Sequence, residues 1–127
     1  MEYEDYQYLR FERPGKGILL IKINRPEVLN ATNARLHNEL TYVWSTVEAD
    51  DLTNVVVITG EGDKAFSAGG DMDLIEGMIG NSEEILRVQK EARDLVYNIL
   101  AFEKPVISAI NGVAVGAGLA IALLADI

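Results

Sequence analysis

The sequence predicts an α/β fold, and three observations carry that prediction. Short β-branched runs alternate along the chain with longer stretches of helical periodicity. The run Asn54-Val-Val-Val-Ile-Thr-Gly60 is continuously apolar, as expected of a strand buried on both faces of a sheet. Two glycine-rich segments, Ala65–Gly70 and Asn111–Gly118, each follow a strand-like run and precede a helical one, which suits crossover connections between parallel strands.

Taken in order, Tyr8–Glu12 and Ile18–Ile23 are β-rich and separated by Pro14-Gly15-Lys16-Gly17, a hairpin signal. Asn24-Arg25-Pro26 ends the second strand, because proline cannot continue the ladder. From Asn33 to Ala49, Leu36, Leu40, Val43 and Val47 recur at helical spacing, with His37 beside the stripe as a surface or packing residue. After the 54–60 strand, Glu61–Gly70 reads as a loop and Asp71–Ile79 as a short helix with acids in its first turn. Ser82 reads as the N-cap of a longer helix whose core face is Ile85, Val88, Ala92, Leu95, Ile99 and Phe102. Pro105 closes that helix, Val106–Ile110 is a strand, and Asn111-Gly112 a turn. Gly116-Ala117-Gly118 then opens an apolar helix reaching Asp126.

The composition narrows the function. In 127 residues, 49% are hydrophobic, enough for a packed core. A net charge of −9 argues against nucleic acid or an anionic membrane as the main partner. The absence of cysteine removes disulfide and thiolate chemistry and suits a reducing compartment, so a cytoplasmic location is expected. One histidine and no cysteine is poor stock for a metal site, and none is expected. The chain stops at Ala125-Asp126-Ile127 on an apolar helix that needs burial, so residues 1–127 are expected to be the N-terminal part of a larger domain.

Residues 105–125 are the most informative stretch. Small residues at a helix start leave its first N–H groups bare, and bare donors aimed into a dry pocket suit a developing oxyanion. The two glycine-rich loops could each supply one such N–H to a single cavity. Three other readings compete. A membrane span fits the lack of charge and the Gly112…Gly116 spacing, but Ser108, Asn111 and the strand-like start oppose it. A dinucleotide loop would need a third small residue where Ile121 stands. Close strand–helix packing without any ligand is the third.

Four segments together resemble the crotonase (enoyl-CoA hydratase/isomerase) family. They are Ile23-Asn-Arg-Pro…Leu29-Asn-Ala31, Lys64-Ala-Phe-Ser-Ala-Gly-Gly-Asp-Met72, Lys104-Pro-Val-Ile-Ser-Ala-Ile-Asn-Gly112, and Ala114-Val-Gly-Ala-Gly118 running on to Ala125-Asp-Ile127. The resemblance implies a spiral of repeated β-β-α units, cut here before the C-terminal helical region, with assembly as trimers or dimers of trimers. It implies an acyl-CoA thioester as substrate, with no further cofactor, in fatty acid metabolism. It also implies an oxyanion hole of two backbone N–H groups, Gly70 and Ala117. By the same resemblance the coenzyme A moiety lies along Glu27, Val28 and Leu29 and along Ala65, Ser67, Ala68, Gly69, Gly70, Asp71 and Met72, with Gly116 and Ala117 at the acyl end. Lys64, Arg25 and Arg35 are cations within reach of its phosphates.

One position departs from the family pattern. Family hydratases carry a glutamate three residues after the second donor, where this chain has Ala120. Alanine cannot move a proton, so isomerase-like or other non-hydratase chemistry is favoured, in which one acid shuttles one proton. The alternatives are hydration through a downstream acid, or a non-catalytic subunit that binds acyl-CoA or serves assembly.

Overall fold

The computed structural model describes residues 1–127. Strands β1 (Leu9–Gly15) and β2 (Ile18–Ile23) form the expected hairpin, followed by helix α1 (Ala34–Glu48). Strand β3 (Val55–Gly60) leads to a three-residue strand β4 (Ala65–Ser67), then α2 (Met72–Met78) and α3 (Ser82–Ala101). Strand β5 (Val106–Ala109), a two-residue β6 (Val113–Ala114) and α4 (Ala117–Leu124) complete the chain. Strands therefore come in pairs before each helical segment, the repeated β-β-α plan.

The main sheet has the order β1-β2-β3-β5, with β1 antiparallel to β2 and the other neighbours parallel. A smaller parallel sheet joins β4 to β6. The sequence reading missed both of its strands and left Ala65–Ser67 in a loop. Strands this short have no detectable period of two, and their burial comes from packing rather than pattern.

Leu19, Ile21 and Ile23 of β2 and Val56 and Ile58 of β3 face the core, where they meet Leu36, Leu40, Val43, Trp44 and Val47 of α1. Leu95 and Ile99 of α3, Phe66 of β4, and Ile121 and Ala122 of α4 extend the same cluster. β3 is not buried equally on both faces. Val56, Ile58 and Gly60 are buried, but the alternate residues are half-exposed.

Two acidic side chains, Glu39 and Glu91, sit inside. Glu39 is 0% exposed and accepts from the N–H groups of Gln7, Tyr8 and Leu9 as well as from Arg35. It thereby caps the start of β1 from α1. His37 lies inside the α1–α3 contact, 2.7 Å through Nδ1 from Glu91 Oε2. Glu91 is buried where the sequence pattern put Ala92, which is exposed instead. Burial pushes the Glu91 carboxyl up, but hydrogen bonds from Asn38, His37 and Arg87 outweigh it and hold its pKa below the usual value. An apolar-period count cannot register a buried hydrogen-bonded pair of polar side chains, since its members are scored as surface.

Smaller corrections concern helix ends. Asn81, not Ser82, caps α3, its side chain accepting from Glu84 N. α4 stops at Leu124, because Asp126 turns back to β5: its Oδ2 accepts from Val106 N and its own N–H donates to Val106 O. α4 buries Gly118, Ile121 and Ala122, whereas Leu119 and Leu123 are exposed. No helix is long and apolar enough to cross a membrane.

Candidate functional site

The site is assembled where three stretches of backbone meet. Segment 29–32 and the loop after β4 are zipped together: Ala68 N donates to Leu29 O (3.0 Å), Thr32 N to Gly69 O (2.7 Å) and Asp71 N to Thr32 O (2.9 Å). The β6 side is joined by Val113 N to Lys64 O (3.1 Å) and Val115 N to Ser67 O (3.0 Å). Ala68, Gly70 and Asp71 thus reach the surface near Leu29, Gly116 and Ala117, whereas Ala65, Ser67 and Gly69 of the expected coenzyme A track are buried beneath them, and only their backbone could line it.

The β4–β6 register carries the two expected donor segments out of the same end of the small sheet. Ser67 of β4 pairs with Ala114 of β6, and the strands are parallel. Gly70 and Ala117 each stand three residues beyond that pair, at the same end of neighbouring strands spaced about 5 Å apart. Their immediate predecessors touch. A Cβ on Gly69 would lie 2.7 Å from Val115 O and 3.5 Å from Gly116 Cα. Both predecessors have positive φ, +85° at Gly69 and +56° at Gly116, which glycine adopts without strain. Gly118 packs still closer, its notional Cβ 2.4 Å from Ser67 O. Small residues are needed here because two main chains pass almost in contact.

Neither donor is used within the chain. Gly70 N–H takes no part in the Thr32–Gly70 bridge, which runs through the flanking groups, and Ala117 N–H belongs to the unbonded first turn of α4. Gly70 is exposed and Ala117 half-buried. The dry pocket expected around them is not formed by these 127 residues, whose clefts are lined by other groups. One small cleft, about 180 Å³, does adjoin the predicted coenzyme A track, between Pro26, Leu29 and Asn30 and the stretch Glu61–Ala65.

Around the junctions, Val28, Leu29 and Met72 are exposed apolar side chains, and Glu27 is exposed beside them. Asp71 caps α2, its Oδ1 accepting from Leu74 N at 2.9 Å. Of the three cations named for phosphate contact, only Lys64 is exposed with its ammonium unpaired by the chain. Arg25 is bound to Asp71 and to Ala31 O, and Arg35 to Glu39 and to Asp5 O, so both are engaged inside the molecule. Two arginines in a chain this acidic find carboxylates closer at hand than any ligand.

Two asparagines that organise the site were quoted in motifs without a role. Asn30, buried and at φ +55°, accepts from Arg25 N and donates to Glu61 O and Ala65 O, clamping the 25–31 segment to β4. Asn111 accepts from Gly60 N and donates to Gly60 O and Gly62 O, tying the β5–β6 turn to the end of β3. The usable signal was chemical: asparagine tolerates the left-handed region and carries both a donor and an acceptor for bare loop backbone.

Comparisons with known proteins bear on the family and the fold. The family model for enoyl-CoA hydratase/isomerase matches residues 13–127. A short-chain-enoyl-CoA hydratase of Clostridium acetobutylicum is 37% identical over 91% of this chain and 43% of its own length. A 1,2-epoxyphenylacetyl-CoA isomerase of Escherichia coli is 38% identical over 88% of this chain and 43% of its own. The crystal structure of an enoyl-CoA hydratase/isomerase from Mycobacterium paratuberculosis superposes with a TM-score of 0.88 at 32% identity, covering 94% of this chain and 47% of that one. An enoyl-CoA hydratase from Bacillus anthracis gives a TM-score of 0.85 at 31% identity, covering 94% and 46%. The chain spans less than half the length of these relatives. Its sequence, its paired-strand plan and its glycine-lined junctions converge on one conclusion: the chain belongs to the enoyl-CoA hydratase/isomerase family.

Proposed function

We propose that Gly70 and Ala117 form an oxyanion hole, their two N–H groups holding the carbonyl oxygen of an acyl-CoA thioester as it becomes enolate-like. The single observation that carries this reading is the packing of two unbonded amides at the same end of the parallel β4–β6 pair, with Gly69 against Gly116. Hydrogen bonds aimed where negative charge develops lower the barrier to removing a proton from the α-carbon. The coenzyme A track runs along Glu27–Leu29 and Ala65–Met72, with Lys64 as the cation available to a phosphate.

The favoured chemistry is isomerase-like, or another reaction that needs the enolate and not a positioned water. Ala120 lies one turn beyond Ala117 on the same side of α4, and its methyl group cannot exchange a proton. A second reading rests on the same residue: a subunit that binds acyl-CoA without turning it over. Self-association as trimers or dimers of trimers, a cytoplasmic location and a role in fatty acid metabolism belong to the same proposal.

The test compares Gly70→Pro with Gly70→Ala. Proline removes the N–H without breaking any hydrogen bond within the chain, whereas a Cβ there meets only Leu74 Cδ2 at 3.7 Å. With 2-enoyl- and 3-enoyl-CoA as substrates, Gly70→Pro should lose on the order of 3 kcal/mol of transition-state stabilisation, about 100-fold in kcat/KM, and Gly70→Ala should stay near wild type. Full turnover by a folded Gly70→Pro variant would exclude this donor. Binding of both thioesters without isomerisation or hydration by the wild type would select the non-catalytic reading.

A further inference from the structure

We infer that Arg25 is a positioning residue that neutralises Asp71 beside the Gly70 amide, an inference that rests on the oxyanion reading of that amide. Asp71 follows Gly70 directly. Its carboxylate is required locally, since Oδ1 accepts from Leu74 N and starts α2. A negative charge one residue from a donor meant to hold a developing anion nevertheless opposes that donor's task.

Arg25 resolves the conflict. Its guanidinium lies 2.9 Å from Asp71 Oδ2 and 2.6 Å from Ala31 O, and 5.1 Å from the centre of the Tyr8 ring. The side chains of Arg25 and Asp71 are only 13% and 16% exposed, so solvent screens the pair weakly. Ala31 and Asp71 flank the Thr32–Gly70 bridge, so the same group also fixes the frame around Gly70.

The test uses acetoacetyl-CoA, an acidic thioester whose enolate has its own ultraviolet band, bound at saturation to the full chain across a pH series. The wild type should lower the pH at which the bound probe ionises. R25Q leaves the carboxylate uncompensated and should raise that pH by about one unit, a tenfold weaker hold on the enolate. R25K should keep most of the effect. D71N, whose amide oxygen can still cap α2, should lower the ionisation further. The double variant R25Q/D71N carries neither charge and should return close to wild type. Should R25Q/D71N stay as weak as R25Q, or D71N weaken the enolate while its circular dichroism is unchanged, the pair is structural only and the inference is overturned. A wild type that leaves the probe at its solution pH removes the oxyanion reading itself, and this inference with it. If R25Q does not fold, D71N against R25K decides by the same signs.

Discussion

Replacing Gly118 by alanine tests whether the two glycine-lined junctions are as closely packed as their geometry indicates. A Cβ at this position would stand 2.4 Å from Ser67 O, 2.6 Å from Ser67 Cβ and 2.9 Å from Ser67 Oγ. The nearest of these atoms belongs to the backbone of β4, which also accepts the hydrogen bond from Val115 N. A side-chain rotation therefore cannot relieve the clash. Restoring ordinary contact, about 3.4 Å, needs α4 and β4 to separate by about 1 Å. Such overpacking costs typically 1–3 kcal/mol, and a rigid backbone partner puts this case near 2–3 kcal/mol. For a chain of this size that is a fall in Tm of about 10 °C. The same retreat moves the start of α4, and with it the Ala117 amide, relative to Gly70. A 1 Å misplacement of a binding group can cost about 100-fold in rate. The assay is a thermal melt by circular dichroism together with acetoacetyl-CoA enolate formation. Gly77→Ala is the matched control, because a Cβ there meets nothing within 4 Å, and added helix propensity should stabilise α2 by about 0.5 kcal/mol. A Gly118→Ala variant with wild-type Tm and wild-type enolate formation would refute the claim that these two main chains are in contact.

Further predictions concern the interior charges. Glu39→Ala should cost about 3–5 kcal/mol in a denaturant melt, because it strands the N–H groups of Gln7, Tyr8 and Leu9 and leaves Arg35 without its carboxylate. Acid unfolding should be steep. Burial pushes the Asp50 carboxyl up, but hydrogen bonds from Thr53, Tyr3 and Arg13 outweigh it and hold its pKa well below the ordinary 3.8, and Glu91 is likewise held below 4.5. A depressed carboxyl stabilises the fold above its unfolded pKa and loses that contribution as pH falls through its folded value. Stability should therefore decline as pH falls below about 4.5, with Asp50→Asn flattening the decline in a pH series of melts. An Asp50→Asn variant with an unchanged acid limb would show that this carboxyl does not govern it.

Much of this protein could be read from its residues in order. The four long elements of clear period or β-branching, β2, α1, β3 and α3, stand where alternation and helical spacing put them, because those patterns record which face must leave water. The glycine-rich junctions were legible for a related reason: small residues clustered between a strand and a helix leave main-chain groups bare and allow close approach. The family followed from the order of four local motifs.

Tertiary structure alone decided the rest. β4 and β6 are too short for any pattern, and they exist because each completes the other as a parallel pair; that pairing is what brings Gly69 against Gly116. Partners distant in sequence, such as Arg25 with Asp71, Glu39 with the start of β1 and His37 with Glu91, cannot be seen in a local pattern, since a charged residue looks solvated until the fold brings its counterpart. Local periodicity is a property of one segment, whereas a strand pairing or a buried ion pair belongs to two, and only the folded chain fixes the distance between them.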